Sequence, residues 1–358
     1  MEEVEGLLMK KSTKIILIII ASLLVVIIGS GLFAWNYYKK GISPVSKESK
    51  DIIVTVESGQ TATSVLYMLE EAGLVNNVFC GKIYLKLNKV ENIIANSYLL
   101  NTNMSLEEIY AIMSNPTDQH IVRISVTIVE GSSLPTISEA MAKPMGMETS
   151  EVMELLNDKE FLNSLIEKYW FITEEILQEG IKYPLEGYFY PETYLFNNNV
   201  TLEEVIYASL DAMDAKLTSV KDKINATGWS IHEFLTFASI VERESLFDED
   251  RPKIAGVFIN RLETNMRLQS DITVNYAWDR TGVDVTHDHL KIDSPYNTYK
   301  YDGLPIGPIS TVSAVTIDAS LNYEENEYYF FFAKSDGTVI YSKTLSEHNN
   351  AVQNNKWY

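Results

Sequence analysis

The run Ile15–Trp35, IILIIIASLLVVIIGSGLFAW, carries no charge. At ~1.5 Å per residue its roughly 20 residues can cross a hydrocarbon core of about 30 Å. A chain with such a segment either keeps it in lipid or loses it as a signal peptide. A signal peptide has a shorter apolar stretch followed by small residues at a cleavage site. Here the run ends in Trp35, Tyr37 and Tyr38 with Lys39 and Lys40, the aromatic and basic pattern of a membrane interface. The sequence therefore predicts a cytoplasmic tail at 1–14, an uncleaved transmembrane helix at 15–36 and a linker at 37–50. The tail is too short to be a domain, so the bulk of the chain is expected outside the cytoplasm, although Lys10, Lys11 and Lys14 face only Lys39 and Lys40 across the span. Met9, followed by two lysines, is a second candidate start beside Met1.

The 358 residues include 29 basic and 49 acidic ones, a net charge of -20, and the first 36 residues carry three of each sign. The acidic excess is thus extramembrane. Such a surface repels phosphate backbones, and no basic stripe stands out along the chain, so no nucleic acid is expected as a partner. The single thiol, Cys80, can form no internal disulfide. It reads as a buried small hydrophobe, and the fold must rely on apolar cores. With 46% hydrophobic residues there is material for two or three domains.

After the linker, IIVTVESGQ reads as a β-branched strand and TATSVLYMLEEAGL as an amphipathic helix with Val65, Leu66 and Leu69 on its apolar face. NVFCGKIYLKLN and SLEEIYAIMSN supply two further helices, the last opened by Ser105 with Glu108 three residues on, a capping box. This predicts a small α+β module at 51–120 with no catalytic character. A strand within HIVRISVTIVEGSSL (120–134) then leads into helical segments to about 180. The aromatic-rich YPLEGYFYPETYLF (183–196) reads first as core or interface and second as a platform for sugar rings. Thr201 and Glu204 open another helix over 201–225.

The helix after Gly228 ends in Glu242-Arg243-Glu244-Ser245. At 100° per residue, Leu235, Ala238 and Glu242 fall within about 40° of one direction, while Phe237, Ile240 and Glu244 gather on a second face. Each glutamate therefore lies beside apolar residues, and burial together with the negative end of the helix dipole raises a carboxyl pKa. A carboxyl that keeps its proton near neutral pH suits a general acid for glycosidic cleavage. The competing reading makes Glu242 a buried partner of an arginine such as Arg261, with Glu244 solvated at a frayed end. Two residues apart, the pair occupies different faces and does not form a matched acid–nucleophile couple. One is expected to be chemical and the other structural; periodicity does not say which. His287 and His289 would point to opposite faces of a strand and belong to no wider ligand cluster, and neither a Gly-x-Ser-x-Gly nor a P-loop is present. No metal or cofactor is expected.

FINRLETNMRLQSD (258–271), SPYNTYKYDGLPIGPIS (294–310) and LSEHNNAVQ (345–353) follow LEGYFYPETY and ASIVERES in order. Together they resemble the YceG-like family of endolytic murein transglycosylases over nearly the whole chain. The resemblance implies an α+β protein: the anchor, a LysM-like module at 51–120, and a mixed α/β catalytic domain at 121–358 with a lysozyme-like catalytic helix. It also implies cleavage of the β-1,4 bond between N-acetylmuramic acid and N-acetylglucosamine in nascent strands, leaving a 1,6-anhydro end. Peptidoglycan glycan is then the substrate, with peptidoglycan synthases and the membrane as partners.

Glu244-Ser245 is similar to the Glu-Ser pair of lysozyme-like lytic transglycosylases, so the resemblance assigns Glu244 the catalytic role and Glu242 and Ser245 supporting ones. By the same resemblance Asn260, Arg261, Gln269, Asp271 and Asn297 are expected to bind sugar hydroxyl and acetamido groups, and Tyr296 and Tyr299 to offer ring faces. Gly303 and Pro305 would shape the site, or only the turn they sit in. His348 and Asn349 are expected to fix the C-terminal segment. Ile306 stands where a second proline is expected, and GTVIYS (337–342) lacks an expected histidine. Two alternatives stay open: a two-carboxylate hydrolase using Glu244 and Asp271, and a non-catalytic peptidoglycan-binding scaffold.

Overall fold

The computed structural model describes residues 2–90, 92–280 and 285–355, with side chains from residue 19 onward except residue 21. It divides into two compact units, Met1–Arg123 with Leu195–Asn199, and Ile124–Tyr194 with Val200–Tyr358.

The first unit begins with one long helix, α1 (Glu2–Ile42). The span expected at 15–36 begins among side chains outside the described set, and among the described residues no helix is long and apolar enough to cross a membrane. The linker expected at 37–50 is ordered. Helix α1 runs into it as far as Ile42; beyond, the Asn76 amide donates to Ser43 O at 2.7 Å and the Thr102 hydroxyl to Glu48 O at 2.7 Å.

A strand–helix–helix–strand sequence follows: β1 (Asp51–Val56), α2 (Ala62–Glu71), α3 (Val78–Asn88) and β2 (Asn96–Asn101), then α4 (Leu106–Met113). The strands pair antiparallel with Asp51 opposite Asn101 and Val56 opposite Asn96. Period-two alternation turns Val54 and Val56 inward and Thr55 outward. Thr61 and Asn77 cap α2 and α3, and Ser105 and Glu108 close the predicted capping box on α4. The core gathers Val65, Leu66, Leu69, Tyr98, Leu100 and Ile109, with Cys80 buried among them.

The second unit contains β3 (Ile124–Thr127), shorter than the strand expected within 120–134, then α5 (Leu134–Met145), α6 (Thr149–Leu156), α7 (Lys159–Lys168), the first two residues of β4 (Thr193–Phe196), α8 (Leu202–Ala226), α9 (Ile231–Glu244), α10 (Arg251–Glu263), α11 (Asp271–Ala277), α12 (Ala314–Leu321), β5 (Phe330–Ala333), β6 (Val339–Ser342) and α13 (Leu345–Asn355). β3 pairs with β4, and β5 pairs antiparallel with β6, Phe330 opposite Ser342. Thr201 and Glu204 form the predicted capping box of α8.

Helix α9 starts at another capping box, Ser230–Glu233, and stops where Ser245 turns extended. Phe234, Leu235, Phe237, Ala238, Ile240 and Val241 are all fully buried, because α10, α11 and α12 surround it. Each large apolar side chain so enclosed contributes about 1.5–3 kcal/mol. The middle of the aromatic-rich segment at 183–196 is core: Tyr188 and Phe189 are fully buried, and the Tyr188 hydroxyl is hydrogen-bonded to His232 Nδ1 of α9 at 2.7 Å, while Tyr183 lines a cavity and Tyr190, Tyr194 and Phe196 are half-buried.

Candidate active site

The end of α9 separates its two glutamates. Glu242 points into protein. Arg251 Nη2 donates to its Oε1 at 2.9 Å, and Ser313 donates to Oε2 through both its backbone N–H, at 2.9 Å, and its hydroxyl, at 2.7 Å. The buried partner is therefore Arg251, not Arg261. Both carboxylate oxygens are engaged and the residue is 7% exposed, so Glu242 is held inside the protein rather than presented to a ligand.

Glu244, the last helical residue, opens onto a cavity of about 330 Å³ together with Arg261, Gln269, Asp271, Tyr299 and His348. Its Oε1 accepts a hydrogen bond from Ser270 Oγ at 2.5 Å. The side chain is half-buried, its open side being the cavity. Burial of the carboxyl pushes its pKa up to about 7; the Ser270 hydrogen bond opposes that rise, nearby Asp271 adds to it, and Arg261 and Arg243 pull it back. Phe258, Leu268, Phe331 and Phe332 supply apolar wall, which is why desolvation dominates.

Asp271 opens α11 and accepts from the Tyr299 hydroxyl at 2.6 Å; burial raises its pKa and that hydrogen bond opposes the rise. Arg261 is buried and donates to backbone, Nε to Tyr329 O at 2.6 Å and Nη1 to Leu268 O at 2.5 Å. It frames the cavity and supplies positive charge to Glu244 without a direct ion pair. Gln269 is exposed at the rim, with φ +45°.

Other residues expected to touch substrate lie elsewhere. Tyr296 is 2% exposed, packs on Tyr276 at 4.8 Å between ring centroids and accepts from Lys182 N–H at 3.3 Å, so it offers no ring face. Asn297 is 0% exposed; its amide donates to Leu290 O and Ile292 O at 2.9 Å each and accepts from Tyr299 N–H at 3.0 Å, which ties its own loop together. The Asn260 amide donates to Asn326 O and Tyr328 O, both at 2.9 Å. Gly303 makes a turn at φ +79°, and Pro305 lines a different cleft with Trp229 and His232. Ser245 ends α9, its hydroxyl buried without a hydrogen-bond partner among the described residues.

The YceG-like family model matches residues 54–354. The chain belongs to the YceG-like family. It is 35% identical over 323 residues to the endolytic murein transglycosylase of Bacillus subtilis (strain 168), covering 89% of each chain. It is 32% identical over 347 residues to the endolytic murein transglycosylase of Streptococcus pneumoniae (serotype 2, strain D39), covering 92% of this chain and 63% of that longer one. A crystal structure of a YceG-like protein from Listeria monocytogenes superposes with a TM-score of 0.62 at 35% identity, covering 85% of this chain and 100% of that one.

In this YceG-like chain three polar features escaped the reading of the sequence. Ser270 sits inside the quoted motif RLQSD, yet nothing local marks it as the donor to Glu244. His348, expected only to fix the C-terminal segment, lines the Glu244 cavity and stacks on Phe330 at 5.4 Å; burial and the Arg261 charge hold its pKa below the usual value. Glu186, in the aromatic-rich segment, is 1% exposed and accepts from Leu134 N–H and the Tyr276 hydroxyl, each at 3.1 Å. Burial pushes its pKa up to about 8, against those two hydrogen bonds and the charges of Lys182 and Arg243. Arg243 lines a second cavity, of about 490 Å³, which shares Ile272 with the first.

Proposed function

We propose that this chain is an endolytic murein transglycosylase, a lyase that cuts the β-1,4 bond between N-acetylmuramic acid and N-acetylglucosamine within glycan strands. The observation that carries this reading is the Glu244 carboxyl, held near pKa 7 in an open, partly apolar cavity by burial against one serine hydrogen bond. A carboxylic acid there can protonate the departing glycosidic oxygen as the bond from the muramyl C1 breaks. The resulting carboxylate then takes the proton of the same sugar's C6 hydroxyl as O6 bonds to C1. Glu244 is regenerated, no water is consumed, and the new end is 1,6-anhydro. Asp271, hydrogen-bonded by Tyr299 and lining the same cavity, favours positive charge at C1 in the transition state whenever it is ionised.

Further parts of the reading rest on separate observations. An anchor in the membrane is supported by the uncharged run and by the exposure of the described apolar side chains from Ile19 to Phe33 on α1. With that anchor and a preceding tail too short to be a domain, the reading puts the remainder outside the cytoplasm, where peptidoglycan and its synthases are found. The LysM-like reading of the first unit is supported by its strand–helix–helix–strand order and antiparallel pair.

Asp271 in the same cavity also favours, as a second reading, a hydrolase in which a carboxylate pair admits water. The test is mass spectrometry of the fragments released from uncrosslinked glycan strands by the purified chain in water enriched in heavy oxygen. The transglycosylase reading expects 1,6-anhydro ends without label, lost by about 10²–10⁴-fold in Glu244→Gln and retained in Glu242→Gln. Labelled reducing ends establish the hydrolase instead. A folded protein that releases nothing leaves a non-catalytic wall-binding role.

A further inference from the structure

Helix α3 shows the outside a face its core does not use. Cys80, Gly81, Tyr84 and Leu85 are buried, while Phe79 is 66% and Leu87 67% exposed. Lys82, Lys86 and Lys89 stand on the exposed side, lining a shallow cavity of about 330 Å³ with Thr63. No acidic residue occurs from 78 to 90. Phe79, Lys82 and Lys86, at i, i+3 and i+7, share one helix face. This face is unusual for the chain: residues 37–123 hold eight basic and nine acidic residues, whereas 124–358 hold 18 and 37.

The same helix is fastened to the end of α1. Asn77 Nδ2 donates to the Tyr37 hydroxyl at 2.9 Å, the Cys80 thiol lies 3.8 Å from Tyr37 O, and Tyr38 packs against the unit's core. Gly41 approaches so closely that a Cβ there would meet the Cys80 side chain at 2.5 Å. At ~1.5 Å per residue, Tyr37 and Gly41 stand within about 9 Å of Trp35 along α1. The headgroup layer on each side of a bilayer is about 5–8 Å deep. With Trp35 at the lipid boundary, the first turn of α3 lies at headgroup level.

We propose that the Phe79–Lys82–Lys86 face of α3 rests on an anionic phospholipid surface beside the point where α1 leaves the bilayer. Phe79 reaches the acyl boundary, and Lys82, Lys86 and Lys89 lay their methylene stems along the interface with their ammonium groups on headgroup phosphates. This inference rests on α1 being a membrane anchor. It assigns the first unit a lipid contact of its own, which a freely swinging anchored module would not have.

The experiment uses the full chain with Cys80→Ala, reconstituted in phosphatidylcholine vesicles with and without phosphatidylglycerol. Spin labels are placed singly at Val25→Cys in α1, Phe79→Cys in α3 and Glu71→Cys in α2, and their collision rates with oxygen and with a water-soluble nickel chelate are compared. The expected result is a lipid-buried Val25 label in both vesicles, a Phe79 label shielded from nickel in the anionic ones, and an aqueous Glu71 label. Lys82→Glu, Lys86→Glu and Lys89→Glu should each weaken the Phe79 shielding about fivefold. A lipid-buried Val25 label with Phe79 as nickel-accessible as Glu71 overturns the lipid contact and leaves the anchor standing. An aqueous Val25 label overturns the anchor, and this contact with it. Shielding of Phe79 by soluble polyphosphate but not by anionic vesicles overturns the lipid contact in favour of a phosphate polymer.

Discussion

Ser270 Oγ donates to Glu244 Oε1 at 2.5 Å, a hydrogen bond that favours the ionised form of this carboxyl against its burial. A donor to a carboxylate stabilises the charged state, so removing it raises the pKa further. In Ser270→Ala the alkaline limb of the pH–activity profile, where Glu244 loses its proton, should move to higher pH. The profile of kcat/KM on glycan strands measures this, and an unmoved limb would mean that Glu244 is not the titrating acid.

Glu186 links pH to stability with a definite sign. Its folded pKa is about 8 against an ordinary value near 4.3, so between those values the folded chain binds more protons than the unfolded one. Stability should therefore fall as pH rises through that window, by up to about 1.4 kcal/mol per pH unit for one such group. Glu186→Gln, which resembles the protonated acid, should flatten the dependence of thermal midpoint on pH between 5 and 8. Glu244 adds a similar slope up to about pH 7, so the flattening is partial.

The Arg251–Glu242 pair is buried on both sides. Arg251→Ala leaves the carboxylate with Ser313 alone and should destabilise the fold by about 3–5 kcal/mol. Denaturant unfolding tests this. Glu242→Gln should still yield 1,6-anhydro ends at temperatures where it remains folded, because neither group faces the cavity.

Tyr296 and Tyr299 should part company under mutation. Tyr296→Ala removes a packed ring and should cost about 3–5 kcal/mol of stability. Tyr299→Phe keeps the ring and removes only the donor to Asp271, so it should cost less stability than Tyr296→Ala, about 1–3 kcal/mol, and should lower kcat/KM, because Asp271 lines the Glu244 cavity. Equal effects of the two changes on stability would contradict the packing of both residues.

Much of the scaffold was legible because its signals are local. The capping boxes at Ser105–Glu108 and Thr201–Glu204, the apolar face of α2 and the buried run of α9 depend on residues within a few positions of one another. The site was legible only in part. Glu244, Arg261, Gln269, Asp271 and Tyr299 do meet at one cavity, but Asn260, Tyr296 and Asn297 hold loops and core instead. A motif names residues that a fold needs for chemistry and for architecture alike, and an amide serves either equally well.

Helical period set Glu242 and Glu244 on different faces, and composition marked the apolar run, the acidic excess and the absence of disulfides. Which glutamate faces a partner and which a cavity depended on groups distant in sequence: Ser313 lies 71 residues from Glu242, and Ser270 lies 26 from Glu244. A carboxyl's pKa follows from what surrounds it in space. Packing of α10, α11 and the segments at 298–313 around the end of α9 made one carboxylate a buried ion-pair member and turned the other to a cavity, with its pKa raised to about 7.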